Sequence, residues 1–335
     1  MAKRHSLPAT GTRTILLYHH RRQNCIVFFA SSSPCQRIDS DLFPGISLWI
    51  KRDDLLHSQV SGNKFRKLKY PLLGLQGSNP HLVSMGGLWS NHIHALAHAA
   101  ALAGYSSTGL IRAAEGVDSA MLEDCRRLGM QIRYVNRENY RLLRDQPDYW
   151  RQYLPETRPQ HVWLPEGGSS PAALHGVAEL VAEVNTSLGL CPDVFMLACG
   201  TGATMAGVLA GANGNSQVIG VAALKNAQYV HQDIKNLLQQ AGYPEYDNYR
   251  LLSDFHHGGY AKISSVLMSF CETFVSQTGI PLEPVYTGKM LFALHELCMQ
   301  AYFPEQTKVV AIHTGGLQGN RGFPDSTGLT PAINT

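Results

Sequence analysis

The chain predicts an α/β protein built on parallel sheets, and three features of it lead there. Short apolar or β-branched runs, "HLVSMGG", "DVFMLACGTG", "QVIGVAAL" and "KVVAIHTGG", mostly end in glycines. Helical patterns such as "NHIHALAHAAALAG" and "ALHGVAELVAEV" separate them. Continuous apolar strands joined by helical crossovers belong to sheets covered on both faces. With 335 residues, 44% of them hydrophobic, the chain can form two domains, each with its own core. The Pro-rich passage 155–171 breaks helix periodicity and is the expected crossing between them. Residues 1–33 show neither period nor acidic side chains, and read as a disordered arm or an upstream over-read of the true start.

Composition narrows the partners. The formal net charge is +3 and the basic residues are scattered, so no stripe for nucleic acid is expected and small anions fit better. No apolar run reaches the roughly 18 residues of a membrane span, which argues for the cytoplasm. Seven cysteines, an odd number without a C-x-x-C pair, predict reduced thiols rather than disulfides or zinc. His94 and His98 have the i,i+4 spacing of metal ligands, but no third ligand with metal spacing sits nearby, and no metal is expected.

The stretch "VSGNKFRKLKYPLLGL" carries Lys64, Arg66, Lys67 and Lys69 within six residues. Wound at about 100° per residue, Phe65, Leu68, Leu72 and Leu75 form one stripe, with Arg66 and Lys69 toward the edge and back. Lys64 falls on the apolar stripe, where an ammonium is costly unless paired, neutralised or used. The alternative is a first-turn lysine whose stem snorkels to water.

Three glycine turns lie at strand ends, where parallel α/β sheets gather ligands. In "ACGTGATMAGVLAG", Gly200, Thr201, Gly202, Ala203 and Thr204 follow a strand and open a helix of small residues, offering amides and hydroxyls to a phosphate. A dinucleotide loop is the alternative, weakened because Met205 replaces the third glycine and Lys225 stands where an acid is wanted; no Walker lysine follows. A tight turn with no ligand is the plain alternative. In "MGGLWSNHIHA", Gly86 and Gly87 precede Ser90, Asn91 and His92, which could hold a substrate carboxylate and move protons, though capping alone explains the first two. The last turns, "PVYTGK" and "AIHTGG", bring Tyr286, Thr287, Thr314, Gly315 and Gly316 to the ends of the final strands.

An inward lysine and a phosphate cradle 136 positions later point to a phosphorylated aldehyde. A buried lysine has a depressed pKa and attacks aldehydes. The cofactor with both groups is pyridoxal 5′-phosphate, whose Schiff base would neutralise Lys64.

"SGNKFRKLKY", "GGLWSNHIHALAHAAA", "LPEGGSSP", "CGTGATMAGVLAG", "EPVYTGK" and "IHTGG" occur in the order found in the 1-aminocyclopropane-1-carboxylate (ACC) deaminase and D-cysteine desulfhydrase family, which residues 33–323 resemble. The resemblance implies a type II pyridoxal-phosphate fold with two three-layer α/β/α domains and the cofactor between them. The large domain is expected over 34–67 and 166–325, with the small one inserted at 68–165. It further implies that Lys64 carries the cofactor, Asn91 meets the ring hydroxyl, Gly200 to Thr204 hold the phosphate with Thr314 and Gly315 nearby, and Ser90, Asn91 and His92 meet the substrate. Tyr286 and Tyr260 match two tyrosines that approach the substrate, although "GGYAKI" departs from the usual G-Y-G-V-P around Tyr260. The residue after Tyr286 faces the pyridine nitrogen in this family. Ring-opening deaminases carry glutamate there and desulfhydrases threonine; here it is Thr287. Elimination from D-cysteine, giving pyruvate, ammonia and hydrogen sulfide, is therefore expected, with ACC deamination as the rival and a nucleotide-dependent oxidoreductase as the reading of another class. A small amino acid is the expected substrate, and fold relatives are often dimers, so a homodimer is expected.

Overall fold

The computed structural model describes residues 32–154, 156, 158–323 and 326–330. The arm expected over 1–33 lies outside these except for Ser32 and Ser33, and Ser33 is buried with its hydroxyl on Asp53. The elements in order are β1 (Cys35–Ile38), β2 (Ile46–Lys51), α1 (Asn63–Leu73), β3 (His81–Gly87), α2 (Asn91–Ala103), β4 (Ser106–Arg112), α3 (Ala120–Arg127), β5 (Met130–Val135), α4 (Arg137–Asp145) and β6 (His161–Leu164). Then come α5 (Pro171–Leu188), β7 (Val194–Cys199), α6 (Ala203–Ala212), β8 (Gln217–Ala222), α7 (Tyr229–Gln240), β9 (Tyr249–Leu252), α8 (Ser265–Thr278), α9 (Thr287–Met299) and β10 (Thr307–Ile312).

Two sheets organise the chain. The larger has the order β1-β2-β10-β7-β8-β9, parallel except for the edge pair β1–β2, and the smaller, β5-β4-β3-β6, is parallel throughout. Alternation along the strands divides their side chains between two faces. On the larger sheet Leu48, Met196, Ile219 and Val309 meet Phe274, Leu291 and Leu294 of α8 and α9, while Phe195, Leu197, Val218 and Val310 meet α5, α6 and α7. Leu82 and Ile111 of the smaller sheet pack with α1, α2 and α3; Val83, Met85 and Leu110 pack with Tyr140 and Leu143 of α4. Both units are three-layer α/β/α, and both direct the ends of β3, β7 and β10 toward α1.

The Pro-rich passage 155–171 is more ordered than periodicity suggests. It contains β6, paired with β3, and a 3₁₀ turn at Glu166–Gly168 before α5 begins. The expected boundary between residues 67 and 68 falls inside α1, whose Phe65, Leu68 and Leu72 join the core of the smaller unit. Helical spacing also misplaces Arg66. Instead of facing outward it is buried, its Nε 2.6 Å from Asp53 Oδ2 and its Nη2 2.8 Å from Glu183 Oε2. Helix α1 is covered on more than one side, by α5 as well as α2, so its polar edge is interior too.

Candidate active site

Lys64 is set by the residue two before it. Gly62 has φ 62° and ψ −142°, and a Cβ there would lie 1.9 Å from the carbonyl oxygen of Thr314. The left-handed φ and the absent side chain let α1 start directly against the turn after β10. Asn63 stitches the contact: its N–H donates to Thr314 O at 3.2 Å, and its Nδ2 donates to Thr204 Oγ1 at 2.9 Å. Asn63 Oδ1 accepts from Lys64 Nζ at 2.9 Å. The ends of β7 and β10 and the start of α1 thus meet at the lysine. Lys64 keeps part of its surface accessible, yet the protein around it pulls its pKa down to about 8 through desolvation, with the Glu283 carboxylate opposing.

The turn from Gly200 to Thr204 leads into α6, whose N-cap Gly202 supplies no side-chain hydrogen bond. The first amides of α6 are therefore left for an anion. Thr201 Oγ1 shares a 2.6 Å hydrogen bond with Ser169, and a Cβ at Gly200 would lie 3.5 Å from Tyr286 Cε1, so the tyrosine borders the loop. Sequence reading missed Lys67. It is buried, and among the described residues its Nζ donates a hydrogen bond to Gly167 O alone, at 3.2 Å. Burial and the charge of Lys64 hold its pKa well below the usual lysine range. Gly167 in turn lies against Thr201, which ties this ammonium to the loop. A signal was present: Lys67 stands one turn after Lys64, hence on its side of α1.

Asn91 is half-buried at the start of α2, where Ser90 is the N-cap and accepts from Ile93 N at 3.3 Å. His92 lies deeper than a substrate contact requires. It is buried, its Nε2 is 2.9 Å from Ser84 Oγ, and burial with Lys64 and Lys67 keeps it neutral well below its usual pKa. Among the described residues its Nδ1 has no hydrogen-bond partner.

Tyr286 is half-buried before α9, and Tyr260 meets it edge-on with ring centroids 6.1 Å apart. Tyr260 sits on a loop that runs at positive φ through His257, Gly258, Gly259 and Ala261. The loop is held from below by fully buried Lys289, which donates to Gly259 O at 2.9 Å. Thr287 is fully buried and its Oγ1 makes no hydrogen bond of normal geometry, although the Glu283 carboxylate is close enough to sense it. Glu283 is occupied elsewhere: it accepts the N–H groups of Val285 at 2.9 Å, Tyr286 at 3.0 Å and Thr287. Burial outweighs those donors and raises its pKa to about 7. Thr314 and Gly315 form the turn against Gly62, and the Gly315 N–H donates to His313 Nδ1, whose Nε2–H reaches Pro281 O at 2.8 Å. His94 and His98 lie apart from this cluster, Nε2 to Nε2 at 3.3 Å.

Among the described residues Lys67 has no carboxylate ion-paired with it, and a phosphate at the start of α6 would supply opposing charge. The same small molecule would need a carbonyl for the amine of Lys64 and could offer a ring atom to the buried hydroxyl of Thr287. The site therefore has the form of an enzyme that works through a phosphorylated carbonyl cofactor carried on a lysine. Comparison with known proteins gives the particular family. The model of the pyridoxal-phosphate dependent enzymes matches residues 31–315, and the chain belongs to that family.

A putative 1-aminocyclopropane-1-carboxylate deaminase from Pyrococcus horikoshii is 29% identical over 84% of this chain and 88% of its own length. A bifunctional D-cysteine desulfhydrase/1-aminocyclopropane-1-carboxylate deaminase from Arabidopsis thaliana is 28% identical over 82% of this chain and 73% of its own. Among solved structures, an ACC deaminase homologue superposes with a TM-score of 0.73 at 27% identity, covering 87% of this chain and 91% of that one. The cofactor is pyridoxal phosphate, and the chain is an enzyme of the group that contains deaminases and desulfhydrases.

Proposed function

We propose that the protein catalyses α,β-elimination on a D-amino acid with a β-leaving group, D-cysteine first, releasing pyruvate, ammonia and hydrogen sulfide with uptake of one water. The feature that carries this reading is Thr287, a fully buried hydroxyl rather than a carboxylate at the position after Tyr286. When bound, pyridoxal phosphate supplies an electrophilic carbon and a ring that accepts the electron pair left at the α-carbon. A hydroxyl beside the ring nitrogen does not force its protonation, whereas a carboxylate would. Opening a cyclopropane whose α-carbon bears no hydrogen needs the stronger sink. Thiolate loss from the β-carbon needs less, because the leaving group carries the electron pair away.

Lys64, with its pKa near 8, is partly neutral at physiological pH and can take the α-proton once the substrate's amine has displaced it. Ser90 stands ready to meet the substrate carboxylate and assist that transfer. Tyr286 and Tyr260 keep neutral aromatic surface at the substrate, and Glu283 is spent on three backbone N–H groups.

The rival reading, deamination of ACC to 2-oxobutyrate, is favoured by the names of the archaeal relatives. Purified enzyme incubated separately with D-cysteine and with ACC decides between them. Sulfide without oxobutyrate supports our reading, and oxobutyrate without sulfide overturns it. Lys64→Ala should remove both colour and turnover, and Thr287→Glu should shift the ratio toward ring opening.

A further inference from the structure

Asn91 is gripped by a side chain from the other sheet's unit. We propose that Gln318 is a positioning residue that fixes the Asn91 amide with its NH2 toward the cofactor, and that the Arg321–Asp124 ion pair locks Gln318 in that role. This rests on the reading of Asn91 as the partner of the cofactor's ring hydroxyl.

Gln318 lies in a 3₁₀ turn, Leu317–Gly322, just after the β10 glycines. Its Nε2 donates to Asn91 Oδ1 at 2.6 Å and to the Trp89 carbonyl at 3.3 Å. With its oxygen turned to Gln318, Asn91 presents its NH2 on the opposite side of the amide. Among the described residues no protein acceptor meets that Nδ2, and the backbone of Gly316 passes so close that a Cβ there would lie 2.7 Å from it. Flipping the Asn91 amide would set donor against donor at Gln318.

Gln318 is itself oriented. Arg321 Nη2 lies 3.3 Å from Gln318 Oε1, and Arg321 Nε lies 3.3 Å from the Gln318 carbonyl, so both oxygens of the residue face the guanidinium. The third arm of that guanidinium, Nη1, reaches Asp124 Oδ2 at 2.7 Å. Asp124 belongs to α3, and Arg127 on the same helix also holds it. The run Asp124–Arg321–Gln318–Asn91 thus leaves the smaller unit at α3, crosses to the turn after β10, and returns to the smaller unit at α2. It borders an open cleft of about 370 Å³ where His94 and His98 also stand. An acceptor facing the ring oxygen would repel its anionic form, whereas a donor stabilises it.

The test uses reconstituted holoenzyme and the pH titration of the cofactor's visible band, together with the cofactor dissociation constant. Asn91→Ala calibrates the signal. Gln318→Glu puts an acceptor where the donor was, and should raise the apparent pKa of the band by about half a unit or more. Gln318→Met removes the grip without demanding a flip, and should weaken cofactor binding by about fivefold with a smaller spectral shift. Arg321→Leu should resemble Gln318→Met, and Arg321→Lys should recover part of the loss. A purely structural role would lower the melting temperature and leave the titration in place. If Asn91→Ala moves the band and neither Gln318 variant does, the proposal is overturned while the reading of Asn91 stands. If Asn91→Ala leaves the band unmoved, that reading fails and the proposal falls with it. Should Gln318→Glu bind no cofactor, Gln318→Met decides by the same titration.

Discussion

Replacing Gly62 with alanine measures how closely the lysine must be held. The residue has φ 62° and ψ −142°, a region that costs an L side chain of order 1–3 kcal/mol. Its new methyl would begin 1.9 Å from Thr314 O, where real contacts keep at least 3.0 Å, so the two backbones must part by about 1.1 Å. No side-chain rotation can relieve this, because the obstacle is a carbonyl whose oxygen already accepts from Asn63 N. Overpacking adds about 1–3 kcal/mol, which brings the destabilisation to roughly 2–6 kcal/mol. Lys64 moves with the chain, and a displacement near 1 Å at a reacting group costs about 100-fold in rate. Gly45→Ala is the control: its φ is 81° but nothing lies within 4 Å of the added carbon, so it carries the backbone cost alone. Thermal unfolding followed by circular dichroism, cofactor absorbance and kcat/KM should separate the two. The expected result is a lost or weakened visible band and about 100-fold lower kcat/KM for G62A, against less than about threefold for G45A. The reasoning is refuted if G62A melts no lower than G45A and keeps kcat/KM within about threefold of wild type.

Three other perturbations follow. Arg66→Met should cost about 3–5 kcal/mol in urea unfolding by leaving Asp53 buried with only Ser33 as an identified hydrogen-bond partner, and adding Asp53→Asn should restore part of it. Lys67→Met should weaken pyridoxal phosphate binding by roughly 10- to 100-fold, and leave the affinity for phosphate-free pyridoxal unchanged, if its ammonium answers the phosphate. Glu283 has a folded pKa raised from 4.5 to about 7, so it takes up a proton on folding; its favourable share is complete below about pH 4.5 and is lost as pH rises through 7. Wild type should therefore weaken relative to Glu283→Gln between about pH 5 and 8, and parallel stability curves for the two would remove the inference.

What the sequence made legible, and what it hid, follows from where each residue finds its partner. The strands β3, β7, β8 and β10 could be read because they are covered on both faces, which makes them continuous apolar runs. The glycine turns could be read because they follow such strands. By contrast β1, β2, β4, β5, β6 and β9 were hidden: β1, β5, β6 and β9 lie at sheet edges, β4 is half polar, and β2 contains Lys51, a cation with no place in a one-dimensional apolar pattern. Lys51 is fully buried with its Nζ 2.6 Å from Glu183 Oε2, 132 positions away on α5, and 2.6 Å from the Ser33 carbonyl.

The same limit applies inside the site. Helical spacing turned Lys64 inward and Arg66 outward, but the partners that admit Arg66 to the interior come from Asp53 and Glu183, on other elements. All four cations of α1 are thus withdrawn from bulk water to different degrees, Lys69 against Glu179, and they differ in what answers them. Arg66 has two carboxylates, Lys64 has the amide oxygen of Asn63, and Lys67 has a single backbone carbonyl. An amine as buried as Lys67 with so little opposing charge gives up its proton unless an anion answers it, so a bound dianion would hold it charged. That coupling, more than the glycine motif, is the argument for a phosphate at the start of α6. A glycine turn permits an anion, whereas a buried amine beside it would gain its charge from one.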